Sequence, residues 1–244
     1  MSTGTLTDKQ ALQEGEYRLP YHWLSKRTVR VQYQRTSHLI AGRVRSHLGS
    51  GGLVLDAGCG DGRGTADLRE LLAEPDFVLC GVDYSQRAIL HAKAMTYGSG
   101  LRFEVADLTG PLDGLRGSQA FDCVLLREVL EHLTEEDLTA ALSCAHQVLC
   151  DGGLIVVTVP SANLPVSAKH YRHYTPRLLR DTLTSHGFSM LEVTGFGYAP
   201  LYSERLMRLG QQPKVWRVFN PLWREVDPDN ACDLLAVGRK REST

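Results

Sequence analysis

Long hydrophobic runs, paired cysteines and an excess of charge are all missing from this sequence. No apolar run approaches the roughly 18 residues of a membrane-spanning helix, and the six cysteines contain no CxxC pair. Lys and Arg number 27 against 28 for Asp and Glu, so no overall field attracts nucleic acid or an anionic membrane. The N-terminal segment is polar and has no apolar stretch typical of a secretion signal. We therefore expect a cytoplasmic protein with reduced thiols and no membrane span.

The length of 244 residues suits one α/β domain with additions rather than two full domains. No internal repeat or Pro/Gly-rich linker divides the chain. Residues 1–48 begin polar and then show helical spacing of apolar residues, which predicts an N-terminal arm and helices that form a lid or face the substrate. Residues 49–244 are predicted to form the main domain. Within it, 199–228 combines aromatic and basic residues and is predicted to be a helical insertion.

Short apolar runs alternate with longer amphipathic ones through the first two thirds of the main domain. This alternation predicts five parallel strands with intervening helices, and two further strands follow near the C-terminus. The sequence therefore predicts an α/β fold: a Rossmann-like, doubly wound, mostly parallel seven-stranded sheet, with an N-terminal helical arm and a C-terminal helical insertion. The predicted strands are 52–58, 77–83, 101–107, 121–127, 154–160, 188–198 and 231–240.

A glycine-rich loop follows the first predicted strand, with the spacing Gly58-x-Gly60-x-Gly62 after the acid Asp56. Such a loop lets a ligand approach the backbone closely, beside the free N–H groups of the next helix. A carboxylate in the strand end repels phosphate, so the pyrophosphate of a dinucleotide is disfavoured and a dehydrogenase with it. The same carboxylate suits a cationic amino-acid ligand. S-adenosylmethionine has an ammonium group, a sulfonium and no phosphate.

The next two predicted strands also end in acids. Asp83 lies 21 residues beyond Gly62, where an acid can accept hydrogen bonds from both hydroxyls of a ribose. Asp107 can accept from an exocyclic adenine amine, and the backbone N–H of Leu108 can donate to a ring nitrogen. Three successive strand ends thus offer partners for three parts of one ligand.

The successive segments VLDAGCGDGRG, CGVDYS, EVADL, FDCVLLREVLEHL and GGLIVVTVP resemble the motifs of class I S-adenosylmethionine-dependent methyltransferases, in order and spacing over residues 50–160. The likeness is to enzymes that act on small molecules, sugars or lipids, with some likeness to ubiquinone-pathway and small-RNA 2′-O-methyltransferases. It implies S-adenosylmethionine as cofactor. The cofactor-binding residues that we expect are Asp56, Gly58, Gly60, Gly62, Asp83, Tyr84, Asp107, Leu108 and Arg127.

Two carboxylates and an imidazole follow the fourth predicted strand, at Glu128, Glu131 and His132. We name Glu128, His132 and the downstream His170 as candidate catalytic residues, because methyl transfer to a protonated nucleophile needs a base. In the small-RNA enzymes that this E-x-x-E-H segment resembles, it ligates a metal with a further histidine. The resemblance therefore also implies a metal site at Glu128, Glu131, His132 and His170. The same pattern occurs in methyltransferases without a metal, so a divalent ion is compatible with the set but is not expected.

Two further segments are candidate substrate contacts. His173 and Tyr174 belong to a cluster that resembles one in methyltransferases of bacterial sugar, lipid and secondary-metabolite pathways. Tyr21 and His22 lie in an aromatic segment near the N-terminus, which either closes over the cofactor as a lid or docks the arm as an anchor.

We expect a methyltransferase that acts on a small-molecule, sugar or lipid-linked acceptor, and we expect oxygen to be the methylated atom. One alternative is a metal-assisted RNA 2′-O-methyltransferase, which the basic residues of 201–224 favour. Because the net charge is near zero and no known RNA-binding module is present, nucleic acid is not the expected partner. Another alternative is a binding module without catalysis, which predicts damaged cofactor residues. None of those residues is missing.

Overall fold

A computed structural model describes residues 7–25, 27–112, 119–199 and 225–242. Its helices and strands follow the predicted alternation, with boundaries that differ by a few residues. The helices are α1 (Asp8–Glu16), α2 (Tyr21–Leu24), α3 (Arg27–Leu48), α4 (Arg63–Leu71), α5 (Gln86–Met95), α6 (Glu135–Val148) and α7 (Pro176–Ser185). The strands are β1 (Gly51–Ala57), β2 (Asp76–Asp83), β3 (Arg102–Val105), β4 (Phe121–Arg127), β5 (Leu149–Pro160), β6 (Phe188–Tyr198), β7 (Glu225–Val226) and β8 (Ala231–Lys240).

All the strands join one sheet in the order β3-β2-β1-β4-β5-β8-β6-β7. Strands β1 to β5 pair in parallel, and β8 runs antiparallel between β5 and β6. The prediction of a mostly parallel, Rossmann-like sheet is confirmed. The described sheet has one strand more than the seven predicted, namely β7, which has two residues and pairs with β6. The strand order reverses direction between β1 and β4, which is where ligands bind in open α/β sheets.

Two hydrophobic layers cover the two faces of the sheet. Successive residues of β4 alternate between them: Cys123 and Leu125 pack on the face covered by α3 and α4, whereas Val124 and Leu126 pack on the face covered by α6 and α7. A strand buried on both faces reads as a continuous apolar run, as β4 does in the sequence. This rigid centre fixes the strand ends that carry the candidate site residues.

The N-terminal arm is more ordered than its polar composition predicts. Helix α1 begins with a capping box, in which the Thr7 side chain accepts from the Gln10 amide and the Gln10 side chain accepts from the Thr7 amide. The predicted division at residue 49 stays a prediction. Most of the predicted insertion, 200–224, lies outside the described residues, and 225–230 supply β7 and a short 3-10 helix. Among the described helices, none has the length and apolar character to cross a membrane.

Candidate active site

The glycine loop turns sharply away from β1 and is held against the end of β2. The amides of Gly58 and Cys59 both donate to the Val82 carbonyl, at 2.8 and 2.9 Å. Gly58, Gly60 and Gly62 all have positive φ, at 83°, 55° and 76°, a region that side chains other than glycine rarely adopt. The spacing seen in the sequence is therefore the spacing that this backbone needs.

Gly58 and Gly60 line a cavity, whereas Gly62 does not face it. A Cβ at Gly60 would meet the Tyr17 hydroxyl at 2.9 Å, so the loop is tightly covered there. Gly62 is the N-cap of α4, and a Cβ on it would meet Ala92 at 2.7 Å. Gly62 therefore has a packing role between α4 and α5, and its predicted contact with the cofactor stays a prediction.

Asp83 is buried at the end of β2 and is oriented by two backbone amides. One carboxylate oxygen accepts from Gly60 and the other from Ser85, both at 2.9 Å. Burial raises the pKa of Asp83 to about 6, and these two hydrogen bonds oppose the shift. Because each carboxylate oxygen has a second lone pair, the geometry leaves room for two ribose hydroxyls.

Tyr84, Asp107 and Leu108 lie beside Asp83 around a cavity of about 130 Å³. The Tyr84 hydroxyl donates to the Gln10 carbonyl of α1 at 3.5 Å. The Asp107 carboxylate is exposed and accepts from the Thr109 amide and hydroxyl at 2.9 and 2.8 Å. The ends of β2 and β3 therefore bring together the four residues predicted to bind the nucleoside half of the cofactor.

Asp56 and Arg127 meet at the switch between β1 and β4. One Asp56 oxygen accepts from the Thr65 hydroxyl at 2.6 Å and lies 3.4 Å from the Arg127 guanidinium, which also donates to Ser37 at 3.0 Å. The other oxygen, Oδ1, is buried without a hydrogen-bond partner among the described residues. A buried orphan acceptor beside the glycine loop fits the ammonium group of a methionine moiety.

A second cavity of about 230 Å³ adjoins the first and contains the candidate catalytic residues. The described residues that line both cavities are Gln13, Tyr17, Gly58, Glu128, His132 and Lys169. Glu128 is strained, because its φ of 52° is the left-handed region and it is a non-glycine residue. Glu131 and His132 follow in a short 3-10 helix, and His170 comes from the loop between β5 and α7.

Burial shifts the pKa values of these groups in the direction that favours their neutral forms. It lowers the pKa of His132 to about 4 and that of His170 to about 3, with nearby positive charge adding to both shifts. It raises the pKa of Glu128 to about 7 and holds that of Glu131 well above its usual range. Both Glu131 carboxyl oxygens lack a hydrogen-bond partner among the described residues. The site therefore presents neutral imidazoles beside a buried carboxyl group.

Three of the four predicted metal ligands converge. Glu131, His132 and His170 offer donor atoms that lie within 4.8 Å of one another, and Glu128 is not part of that group. The residue types suit a divalent ion with an open coordination position. However, Lys169 and Lys9 lie near enough to lower the pKa values of both histidines. Their positive charges disfavour a cation in the same place, so we derive no catalytic step through a metal.

The four candidate substrate residues divide into two groups. Tyr21 and His22 line the larger cavity. His22 also docks on the glycine loop, where its amide donates to Asp61 at 2.7 Å and its Nδ1 lies 3.0 Å from the same carboxylate. His173 and Tyr174 are not among the described residues that line the two cavities. Tyr174 is fully buried and its hydroxyl donates to the Leu130 carbonyl at 3.4 Å, so its position gives no access to a substrate.

Helix α1 covers both cavities and contributes Gln13, which the sequence did not indicate. Gln13 and Tyr17, the residue after α1 and the first of the aromatic segment, line the two cavities, and Tyr17 is buried. The Glu16 carboxylate pairs with Lys169 at 2.8 Å, which ties α1 to the loop that carries His170. The capping-box pattern at residues 7–10 is the signal that could have predicted this helix and its ordered position.

Comparisons with known proteins agree with this geometry. Residues 55–155 match a family model described as a methyltransferase domain. A probable S-adenosylmethionine-dependent methyltransferase of Mycolicibacterium smegmatis is 28% identical over 173 residues, 68% of this chain and 59% of the relative. A ubiquinone biosynthesis O-methyltransferase of Azoarcus is 25% identical over 177 residues, 65% of this chain and 73% of the relative. The N-methyltransferase NodS of Bradyrhizobium japonicum with bound S-adenosylhomocysteine has a TM-score of 0.64 at 18% identity, covering 97% of this chain and 100% of that one.

The sheet order, the glycine loop and the acid at the end of β2 define a Rossmann-like domain that binds a nucleoside cofactor. With the matches above, residues 55–155 are assigned to a methyltransferase domain of the class I S-adenosylmethionine-dependent type, with S-adenosylmethionine as its cofactor. The chain spans 59% of the length of its Mycolicibacterium relative.

Proposed function

We propose that this domain transfers the methyl group of S-adenosylmethionine to a hydroxyl oxygen of a small-molecule, sugar or lipid-linked acceptor. The observation that carries the proposal is the pair of neutral histidines, His132 and His170, in a cavity that adjoins the nucleoside pocket. Asp56, Asp83 and Arg127 would orient the cofactor, and Glu128 lies between the two halves of the pocket.

The chemistry explains why neutral imidazoles matter. Bound S-adenosylmethionine would supply an electrophilic methyl group, and its sulfur would leave with the electron pair, as S-adenosylhomocysteine, when the acceptor oxygen bonds to the methyl carbon. A hydroxyl acceptor carries a proton that must leave, so a neutral imidazole nitrogen can accept a hydrogen bond from it and then the proton. The low pKa of each histidine keeps the lone pair available at neutral pH and also lowers the basicity of the ring.

Two features support oxygen rather than nitrogen as the methylated atom. A neutral amine already carries the lone pair that attacks, so it has less need of the histidines than a hydroxyl has. One relative is named a ubiquinone biosynthesis O-methyltransferase. A structural neighbour is an N-methyltransferase, so methylation of a nitrogen in a similar acceptor is the alternative to be tested.

The RNA alternative receives less support. It depends on a metal at Glu131, His132 and His170, where Lys9 and Lys169 add positive charge. The basic residues of 201–224 that favour RNA lie outside the described residues. The non-catalytic alternative predicts a damaged cofactor site, whereas Asp56, Asp83 and Asp107 are all present at their strand ends.

The direct test is to supply the protein with methyl-labelled S-adenosylmethionine and matched pairs of phenols, sugars and prenylated phenols in which a hydroxyl is replaced by an amine. We expect label in the hydroxyl members, and a loss of about a hundredfold in rate for His170→Ala, as is typical for removal of a general base. Binding of S-adenosylhomocysteine by that variant should stay unchanged. Label in the amine members alone would overturn the assignment to oxygen.

A further inference from the structure

His173 and His170 are joined by a hydrogen bond that decides which nitrogen of His170 faces the cavity. The Nδ1 of His170 lies 2.8 Å from the Nε2 of His173, and the Nδ1 of His173 lies 3.0 Å from the Leu164 carbonyl oxygen. These contacts form a chain from a backbone carbonyl to the cavity wall.

The direction of these hydrogen bonds follows from the one at the Leu164 carbonyl. A carbonyl oxygen can only accept a hydrogen bond, so the Nδ1 of His173 must carry a proton. In neutral His173 the Nε2 is then an acceptor, and the Nδ1 of His170 must donate to it. Neutral His170 therefore holds its proton on Nδ1 and its lone pair on Nε2.

The surrounding loop holds both rings in place. The Lys9 ammonium donates to the carbonyls of Ala168 and His170 at 3.0 and 2.7 Å. The Tyr171 amide donates to the Glu131 carbonyl at 2.7 Å, and the His170 ring packs edge-on against His132 with centroids 4.6 Å apart. Since the backbone that carries His170 is held on both sides, a ring that turned over would lose its hydrogen bond to His173.

We propose that His173 is a positioning residue that fixes the Nδ1–H tautomer of His170 and so presents its Nε2 lone pair to the acceptor. The proposal rests on the proposed function for its catalytic consequence, whereas the tautomer itself is a property of the protein alone. His173 thereby gains a role different from the substrate contact predicted from the sequence. A free histidine side chain in water favours the opposite tautomer, with its proton on Nε2. The hydrogen-bond relay from Leu164 through His173 to His170 therefore reverses an intrinsic preference.

The test is long-range proton–nitrogen NMR on the full chain labelled with ¹⁵N-histidine and saturated with S-adenosylhomocysteine. The His170 signals are assigned by their loss in His170→Gln. We expect a protonated Nδ1 and an unprotonated Nε2 at His170. In His173→Phe the proton should move to Nε2, because the acceptor is gone. In His173→Gln the side-chain oxygen can accept from His170 while the amide donates to Leu164, so the original tautomer should return.

A functional readout separates positioning from a merely structural role. With a hydroxyl acceptor found as above, kcat for His173→Phe should fall by about tenfold or more, as for outer-shell partners of reactive histidines. The affinity for S-adenosylhomocysteine should not change, and His173→Gln should recover most of the kcat. His38→Gln, at an exposed position on α3, is the matched control.

A wild-type His170 with its proton on Nε2 would overturn the relay even if no variant folds. Retention of the Nδ1–H tautomer in His173→Phe would do the same. The same spectrum recorded without ligand separates the two proposals: if the tautomer is as expected there but the protein does not bind S-adenosylhomocysteine, the proposed function fails and the relay stands.

Discussion

The pocket has a nucleoside half around Asp83 and an acceptor half around Glu131 and His170, and the two halves differ in how their buried polar groups are hydrogen-bonded. At the end of β2, Asp83 accepts from two backbone amides and is held in one orientation. After β4, Glu128 has strained backbone and both oxygens of Glu131 lack a partner among the described residues. Asp83 is thus oriented by the protein before a ligand binds, whereas the acceptor half retains unsatisfied groups whose partner is expected to be the substrate.

The comparison predicts its largest effect at Asp83. Replacing it by alanine should weaken S-adenosylhomocysteine binding by about a hundredfold or more, because hydrogen bonds to a charged group contribute about 1.5–3 kcal/mol each. Calorimetric titration measures this directly. Asp76→Ala, an exposed position at the opposite end of β2, should bind as the wild type does. Unchanged affinity in Asp83→Ala would remove the ribose role and with it the view of Asp83 as oriented for a ligand.

The same contrast explains what the sequence could predict. The β1 loop and Asp83 were predicted because glycine spacing and strand ends are local signals, and parallel strands bring their ends to one edge. The grouping of His170 with Glu131 and His132 was implied by the resemblance of the E-x-x-E-H segment, and the structure places these three side chains together. By comparison, the burial of Tyr174 could not be predicted, since it depends on how the loop between β5 and α7 folds back on the core.

The position of α1 illustrates a second limit. Its residues are polar, and a polar segment at a chain end is typical of a mobile arm. What fixes α1 is a set of long-range contacts, such as Glu16 with Lys169 and the Tyr84 hydroxyl with the Gln10 carbonyl. Contacts between residues that are far apart in sequence leave no periodic pattern, so only the cap at Thr7 could have indicated the helix.

The second largest effect is expected in the acceptor half, at Glu131. Glu131→Gln should raise the free energy of unfolding at pH 8 by about 1–3 kcal/mol, because the variant no longer has to hold a proton, or a buried negative charge, at a pH where the unfolded carboxyl group ionises freely. The pKa of Glu131 is raised in the folded state, so its contribution to stability is present at low pH and is lost as pH rises through that pKa. Glutamine does not titrate, and the advantage of the variant should therefore grow from pH 5 to pH 8.

Urea unfolding at several pH values measures this difference. Glu136→Gln, the same substitution at an exposed position of α6, is the matched control and should change little at any pH. A Glu131→Gln variant that is less stable than the wild type at pH 8 would show that this carboxyl group is satisfied, and the contrast between the two halves would break down.

A smaller effect is expected from pH on cofactor binding. Asp83 must be ionised to accept hydrogen bonds from both ribose hydroxyls, and its pKa is raised to about 6 in the free protein. Affinity for S-adenosylhomocysteine should therefore be constant above pH 7 and fall as pH drops through 6, by up to about tenfold per unit. Asp83→Asn should bind more weakly but without this dependence. An identical pH profile in Asp83→Asn would assign the dependence to another group.

The smallest effect is expected for metal removal, which tests whether the acceptor half is completed by a cation instead of a substrate. Glu131, His132 and His170 have the donor types for such an ion, but Lys9 and Lys169 place positive charge beside them. We expect protein dialysed against a chelator to transfer methyl groups at the original rate, with less than one equivalent of metal by elemental analysis. Activity lost to the chelator and restored by one divalent metal would overturn this expectation. The unpaired Glu131 oxygens would then be metal ligands rather than acceptors for a substrate hydroxyl.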